Sequence, residues 1–476
     1  MSDEFDVIVI GGGPAGENAA GRCGDGGLSV ALVERELVGG ECSYWGCIPS
    51  KTLLRPGDVI AAARRVPGAA QAVTGPIDVA AALAWRDSMT SNWNDEGQLP
   101  WLEEHGVTLV RGAGRLAGER VVEVTGGDGS VRRLRAHQAV VLATGTAPAI
   151  PPVPGLRELE PWDNRTITAV KDIPRRLLVL GGGAIGAEMA QAAKRLGAEE
   201  VTVIEAAERL LVREEPFAGN EVRAGFEAEG ITVLTGAKLI AARRADASPA
   251  GSGGQGSGRD GPVVATLEGG RELTGDEILV AVGRRPKTGD LGLETVGLEP
   301  GRSVEVDDQL RATGVPGGWL YAVGDCNGRA LLTHMGKYQA RLAGDVILGK
   351  LVVDMASTDA IPRVTFTDPQ VCAVGLTEAQ ARERGLDIRV VTYPINGVSG
   401  ASTKGEGISG TSCLVVDEAH RVIVGATFTG PDTQELLHSA TVAVVGQVTL
   451  DRLWHAVPSF PTVSEVWLRL LEAYGL

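Results

Sequence analysis

Cysteine is scarce, with six residues in a chain of 476. So few thiols over such a length exclude a disulfide-scaffolded fold. In a reducing compartment, a close pair among them points to redox chemistry or metal rather than a structural crosslink. Any CxxC or HxxxH that could add to the close cysteine pair is also missing, and zinc would need two further ligands, so no metal site is expected. Positive charge is in deficit: 45 Lys and Arg against 60 Asp and Glu give a formal net charge of −15. That argues against nucleic acid and anionic membrane surfaces as partners. No apolar run reaches the ~18 residues that a bilayer span requires. Strand-like FDVIVI begins at Phe5, so no signal peptide is expected and the cytoplasm is the simple expectation.

Glycine, by contrast, is abundant at 66 residues, as expected where backbone turns sharply or approaches a ligand. The length predicts roughly two to four domains. Two segments repeat one design. DVIVIGGGPAGENAA is followed by LSVALVE, and RRLLVLGGGAIGAEMAQ by VTVIEAAER. Each reads as a strand, a GxGxxG turn opening an alanine-rich helix, and a second strand ending in Glu. This is the dinucleotide fingerprint in its proper context, twice. Gly11, Gly13 and Gly16 carry it first, and Gly181, Gly183 and Gly186 carry it again. Backbone amides and the positive helix end would meet a pyrophosphate there. Glu34 and Glu205 are each placed to bind a ribose 2′-hydroxyl. Two dinucleotides in one chain imply electron transfer between them.

Between the repeats, AVVLATG (139–145) runs into the proline-rich APAIPPVPG, which marks a domain crossover. EILVAVGRRP (277–286) closes the second repeat, and LYAVGDCNG (320–328) delivers Asp325 just past a glycine. ASPAGSGGQGSGRDG (247–261) reads as a low-complexity hairpin tip without chemistry. From about residue 350, short alternating strands mixed with helices predict a separate α+β domain. The last helix, SEVWLRLLEAYG, is expected to be capped by Ser464 and to bury an apolar stripe.

In GGECSYWGCIPSK (39–51), Cys42 and Cys47 lie close together in a glycine-flanked stretch, with Lys51 behind. Structural crosslink, metal pair and redox thiols are all open from these residues alone. The motif, together with LYAVGDC and IPRVTFTDPQVCAVGLTEAQA, resembles the FAD-dependent pyridine nucleotide-disulfide oxidoreductases. That family includes dihydrolipoamide dehydrogenase, glutathione reductase and mercuric reductase, and the resemblance covers nearly the whole chain. It implies an α/β fold with two Rossmann-like dinucleotide domains and a C-terminal α+β dimerisation domain. The order would be an FAD segment (1–150), an NAD(H) segment (151–276), a return to the FAD domain (277–347) and the interface domain (348–476). It implies FAD and a nicotinamide as cofactors, and a homodimer.

The resemblance also assigns roles by position. Cys47 would lie beside the flavin, and Cys42 would be the interchange thiol of a redox-active disulfide. Lys51 would pair with Glu188 near the flavin. Thr144, Gly145, Asp325 and Glu34 would contact FAD, with Asp325 on the ribitol. Gly283 and Glu205 would serve NAD. A bridge between Cys42 and Cys47 cannot sit in regular helix, where five residue steps rise ~7.5 Å against the ~7 Å Cα limit of a disulfide. Gly46 allows the distortion; a bridge strained this way should be easily reduced, and Lys51 would favour the Cys47 thiolate. Two free thiols at a helix start are the alternative. Cys23, Cys326, Cys372 and Cys413 are expected to be inert packing residues. Glu205 is followed by Ala206 and Ala207, with Arg209 a turn further on, which predicts NADH over NADPH.

One departure bears on function. The family's disulfide-specific members carry a His-Pro-Thr stretch followed by Ser and Glu, whose His shuttles protons to the interchange thiol. Here PSFPTVSEVW matches at Pro461, Thr462, Ser464 and Glu465, but Phe460 occupies the His position. Losing such an acid–base group costs ~10²–10⁴ in rate. His455 lies upstream as a substitute. Mercuric reductases also carry Phe-Pro here, but this chain ends LLEAYGL without their cysteine pair, which disfavours mercuric ion. With Tyr44 and Trp45 beside Cys42, Phe460 predicts an aromatic substrate mouth. Three functions remain: a disulfide reductase or dithiol oxidase, a flavin-driven reductase of quinones or other acceptors including metal ions, and a non-enzymatic flavin redox sensor.

Overall fold

A computed structural model describes residues 3–245 and 261–476. The low-complexity stretch singled out above lies, apart from Gly261, outside the described residues. Two compact units divide the chain. The first takes Met1–Pro49, Asp87–Ala149 and Gly283–Thr358; the second takes Ser50–Arg86, Ile150–Val282 and Asp359–Leu476.

The first unit is built on a seven-stranded sheet. Its parallel part runs Val107–Arg111, Val30–Glu34, Glu4–Ile10, Val131–Leu142 and Leu320–Ala322, with Val7 opposite Val30 and Ala139. These strands are continuous apolar runs, VALVE and DVIVI among them, because both faces of a parallel sheet are covered. Val121–Thr125 and Ala113–Leu116 extend the sheet as an antiparallel meander. Helix Pro14–Asp25 leaves the first strand with proline in its first turn, where no N–H is missed.

The second unit repeats the parallel core in four strands: Ile231–Leu234, Glu200–Ile204, Arg176–Leu180 and Glu277–Val280. Helix Ala184–Arg195 follows the Arg176–Leu180 strand. Strands Leu239–Arg244 and Val263–Leu267 pair antiparallel, so the flanks of the low-complexity stretch are a hairpin's arms. The C-terminal part is a five-stranded antiparallel sheet, ordered Arg363–Thr365, Gln370–Gly375, Val422–Gly430, Thr411–Asp417 and Ile388–Pro394. Phe428, Trp467 and Leu470 lie in the core over it. The expected mixed α/β class, with an α+β region at the end, is what the chain adopts. Within this unit a half-buried Arg195 gathers Asp58, Glu229 and Asp368 at 2.9, 2.6 and 2.8 Å.

Ser464 does not cap the last helix. It lies inside a 3₁₀ turn, Val463–Glu465, and helix Val466–Tyr474 starts after Glu465 without a side-chain cap. The tight turn consumes the position from which the serine oxygen could reach an open amide. Among the described residues, no helix is long and apolar enough to cross a membrane.

Candidate active site

The two glycine turns have the same build. Gly11 sits at φ +106° and Gly181 at φ +109°. A methyl on either would stand 2.5 Å from the Ala143 oxygen or 2.6 Å from the Ala281 oxygen. Gly16 and Gly186 bring each helix against its own turn: a methyl there would lie 1.7 Å from the Gly11 oxygen and 1.9 Å from the Gly181 oxygen. Gly13 and Gly183 occupy the helix N-caps with no side-chain cap, which leaves the first-turn amides open to an anion.

The acidic residues close each cradle. Glu34 accepts from the Gly12 amide through Oε2 and from the Glu36 amide through Oε1, both at 2.6 Å. Glu205 accepts from Gly182 at 2.6 Å and from Ala207 at 2.8 Å. Each carboxylate oxygen keeps a lone pair for a ribose hydroxyl. Open amides, an absent side-chain cap and a fixed carboxylate fit a bound dinucleotide in both places.

Asp325 lies in the first unit, in the 3₁₀ turn Gly324–Asn327. Its Oδ2 accepts from Thr146 Oγ1 at 2.7 Å, and that hydroxyl accepts from Arg284 Nε at 2.6 Å. Burial raises the Asp325 carboxyl, against the Thr146 bond and the Arg284 charge. Gly145 and Gly283 bracket the antiparallel pair Thr146–Pro148 and Arg284–Pro286, their carbonyls accepting from the Lys287 and Ala149 amides at 3.0 Å each. Gly283 therefore belongs to the same unit as Asp325. Thr144 immediately precedes this crossover.

Cys42 sits in the short helix Gly40–Tyr44, and Cys47 opens helix Cys47–Arg65. Trp45, at φ −139° and ψ 6°, ends the first helix. A methyl on Gly46 would lie 3.0 Å from the Glu41 oxygen and 3.4 Å from the Cys42 Cα, so a side chain there would crowd the turn and glycine eases the tight doubling back of the chain. The break replaces the regular helix that could not bring the sulfurs together. Both cysteines are half-buried, with their thiols hydrogen-bonded to one another. Cys47 Sγ is also 3.3 Å from Thr333 Oγ1. The Cys42 thiol is pushed up by the Cys47 hydrogen bond and by burial, while Thr333 and the Lys337 charge pull it down.

Lys51 and Glu188 meet in the second unit, Nζ to Oε2 at 2.6 Å. Glu188 is buried, and its Oε1 accepts from the Phe366 amide at 3.0 Å. The Lys51 ammonium also stands 4.7 Å above the Phe366 ring.

Tyr44 corrects the expected aromatic mouth. It is buried, and its hydroxyl donates to the Val38 carbonyl at 3.0 Å because that end needs a polar partner. Trp45 is half-buried, edge-on to Tyr44 with 5.7 Å between centroids. Phe460 is 73% exposed. His455 is exposed just past the short helix Leu450–Leu453. Glu465 is buried; Oε1 accepts from Arg469 at 2.8 Å, while Oε2 has no hydrogen-bond partner among the described residues. Burial raises Cys23, Cys326, Cys372 and Cys413 to about 12, as inert packing thiols should be. Sequence reasoning missed Thr333, Lys337, Thr146 and Arg284, because no motif marks them.

Comparison with known proteins agrees with this geometry. Residues 5–340 match the pyridine nucleotide-disulphide oxidoreductase family, and residues 361–470 its dimerisation domain. Mercuric reductase of Staphylococcus aureus is 29% identical over 97% of this chain and 81% of its own length. Dihydrolipoyl dehydrogenase of Thermus scotoductus is 33% identical over 98% of this chain and 97% of its own. In fold, the chain is similar to the HOCl-induced flavoprotein disulfide reductase RclA from Escherichia coli in its Cu(II) complex (TM-score 0.83, 23% identity, 99% of each chain). It is equally similar to LpdA from Mycobacterium tuberculosis (TM-score 0.84, 24% identity, 99% and 100% coverage). The chain belongs to the pyridine nucleotide-disulphide oxidoreductase family and is an FAD-dependent oxidoreductase.

Proposed function

We propose that the chain is an NADH-dependent disulfide reductase, working as a homodimer and also able to run as a dithiol oxidase. The hydrogen-bonded Cys42–Cys47 pair, brought together by the Trp45–Gly46 break, carries this reading. The first cradle, with Glu34, Thr144, Gly145 and Asp325, would hold FAD; the second, with Glu205, would hold NADH. When bound, the flavin supplies a two-electron link between nicotinamide and disulfide.

The chain's own residues then do the sulfur chemistry. The Cys42 thiolate attacks one sulfur of an acceptor RS–SR, forming Cys42–S–SR and releasing RS⁻, which takes a proton. The Cys47 thiolate attacks the Cys42 sulfur, the second RS⁻ leaves with a proton, and the Cys42–Cys47 bond re-forms. The sum is NADH + H⁺ + RS–SR giving NAD⁺ and two RSH.

Two observations support the finer parts of this reading. Arg209 donates to the Leu211 and Val212 carbonyls at 3.0 Å each, so its guanidinium is committed away from a 2′-phosphate, which favours NADH. Val442, Val445, Trp454, Val457 and Phe460 of the dimerisation domain are exposed on the single chain, as a pairing surface requires.

Cys47→Ser tests the relay. Loss of disulfide reduction with flavin retained supports it, and retained disulfide reduction overturns it. Phe460, which cannot carry a proton, favours a second reading, in which a quinone takes electrons without the thiols. Undiminished quinone reduction in Cys47→Ser would assign that route.

A further inference from the structure

Helices Pro14–Asp25 and Thr333–Ile347 of the first unit lie in a register fixed at three levels. A methyl on Gly336 would stand 3.3 Å from Ala15 Cβ. Arg341 Nη1 donates to Asn18 Oδ1 at 3.2 Å, and Arg22 Nε to Asp345 Oδ1 at 2.8 Å. The partners rise together in number, so the helices are parallel. Thr333 opens the second helix within 3.3 Å of Cys47 Sγ. Lys337 follows one turn later on the same face, and Arg341 one turn after that. A polar line therefore leads away from the cysteine pair, with Lys337 and Arg341 exposed and Glu17 and Asn18 facing it from the other helix.

At this end of the line Thr333 stands beside the cysteine pair; the Cys47 hydrogen bond and burial raise the Cys42 thiol, and the Lys337 charge one turn on lowers it. Burial raises Glu17 to about 7, with the Lys337 charge opposing that rise and the Glu34 charge adding to it. Tyr44, on the same side, is raised first by burial, then by Asp95 and Glu17, against Arg111.

Resting on the thiol relay above, we propose that Lys337 is the positioning charge for the interchange thiolate of Cys42, with Glu17 tempering how much of that charge reaches the sulfur. A cation beside a thiol favours the thiolate, and an acid beside the cation offsets it. The charge comes from the same subunit as the cysteines, and so does not depend on residue 460. Because Lys337 is exposed, the departing RS⁻ meets water there and takes its proton from solvent.

The test reads Cys42 directly. Holoenzyme reduced anaerobically with NADH is labelled with iodoacetamide across the neutral and alkaline range, and labelling at Cys42 is followed by mass spectrometry. Lys337→Met should move the labelling midpoint up by about one unit, which is about tenfold slower labelling below the midpoint. Lys337→Arg should restore the wild-type profile, and Glu17→Gln should move it the opposite way. Superimposable wild-type and Lys337→Met profiles would overturn the proposal, as would a failure of Lys337→Arg to restore. If NADH does not open the pair, the relay itself has failed. The same profiles taken after dithiothreitol reduction then still decide the role of Lys337.

Discussion

The two cradles, one in each unit, are near copies down to single hydrogen bonds. In both, the second glycine of the GGG run, Gly12 or Gly182, donates its amide to a strand-end glutamate at 2.6 Å. In both, that glycine's carbonyl accepts from the returning chain: from the Gly39 amide at 2.7 Å, and from the Leu211 amide at 3.0 Å. The difference is what the return carries. After Gly39 comes the helix with Cys42; before Leu211 comes Arg209, turned onto backbone carbonyls. One scaffold is used twice, and the chemistry is grafted onto a single segment of one copy.

Breaking the grafted segment should have the largest effect. Cys42→Ser and Cys47→Ser should each lower disulfide reduction by at least about 10³-fold, read as NADH oxidation with a disulfide acceptor, while the flavin absorbance of the purified protein persists. The paired glycine changes come next and separate the copies. Gly16→Ala should yield protein largely free of flavin, seen in its visible spectrum. Gly186→Ala should keep the flavin but raise the KM for NADH about tenfold or more, because each methyl would collide with its own turn. Glu205→Ala should then narrow the preference for NADH over NADPH by about tenfold, the value of one charged hydrogen bond. Equal KM values for the two nucleotides in the wild type would break the assigned difference between Glu205 and Arg209. The smallest effect falls beside the cysteines. Tyr44→Phe should cost about 1 kcal/mol in thermal or denaturant unfolding, since it leaves the buried Val38 carbonyl unpaired.

What the sequence disclosed follows from range. The cradles and the cysteine turn are set within about forty residues, by glycine sterics and a strand-end acid. Gly11, Gly46 and Glu34 could therefore be read one by one. The failures are of two kinds. Tyr44 and Ser464 were assigned by residue type, and both were decided by neighbours: the Val38 carbonyl in one case, a 3₁₀ turn in the other. Thr333, Lys337 and Glu17 were invisible for a different reason. Their meeting with the cysteines depends on the register of two helices some three hundred residues apart, and no local pattern encodes it.

Both oxygens of Glu34 and of Glu205 are engaged by loop amides. Because these bonds join the chain's own groups, each nucleotide loop is held by the protein itself rather than by its cofactor. Little ordering entropy remains to be lost on binding. In apoprotein, the Gly12 and Gly182 amides should exchange their hydrogens nearly as slowly as they do once the nucleotides are in place.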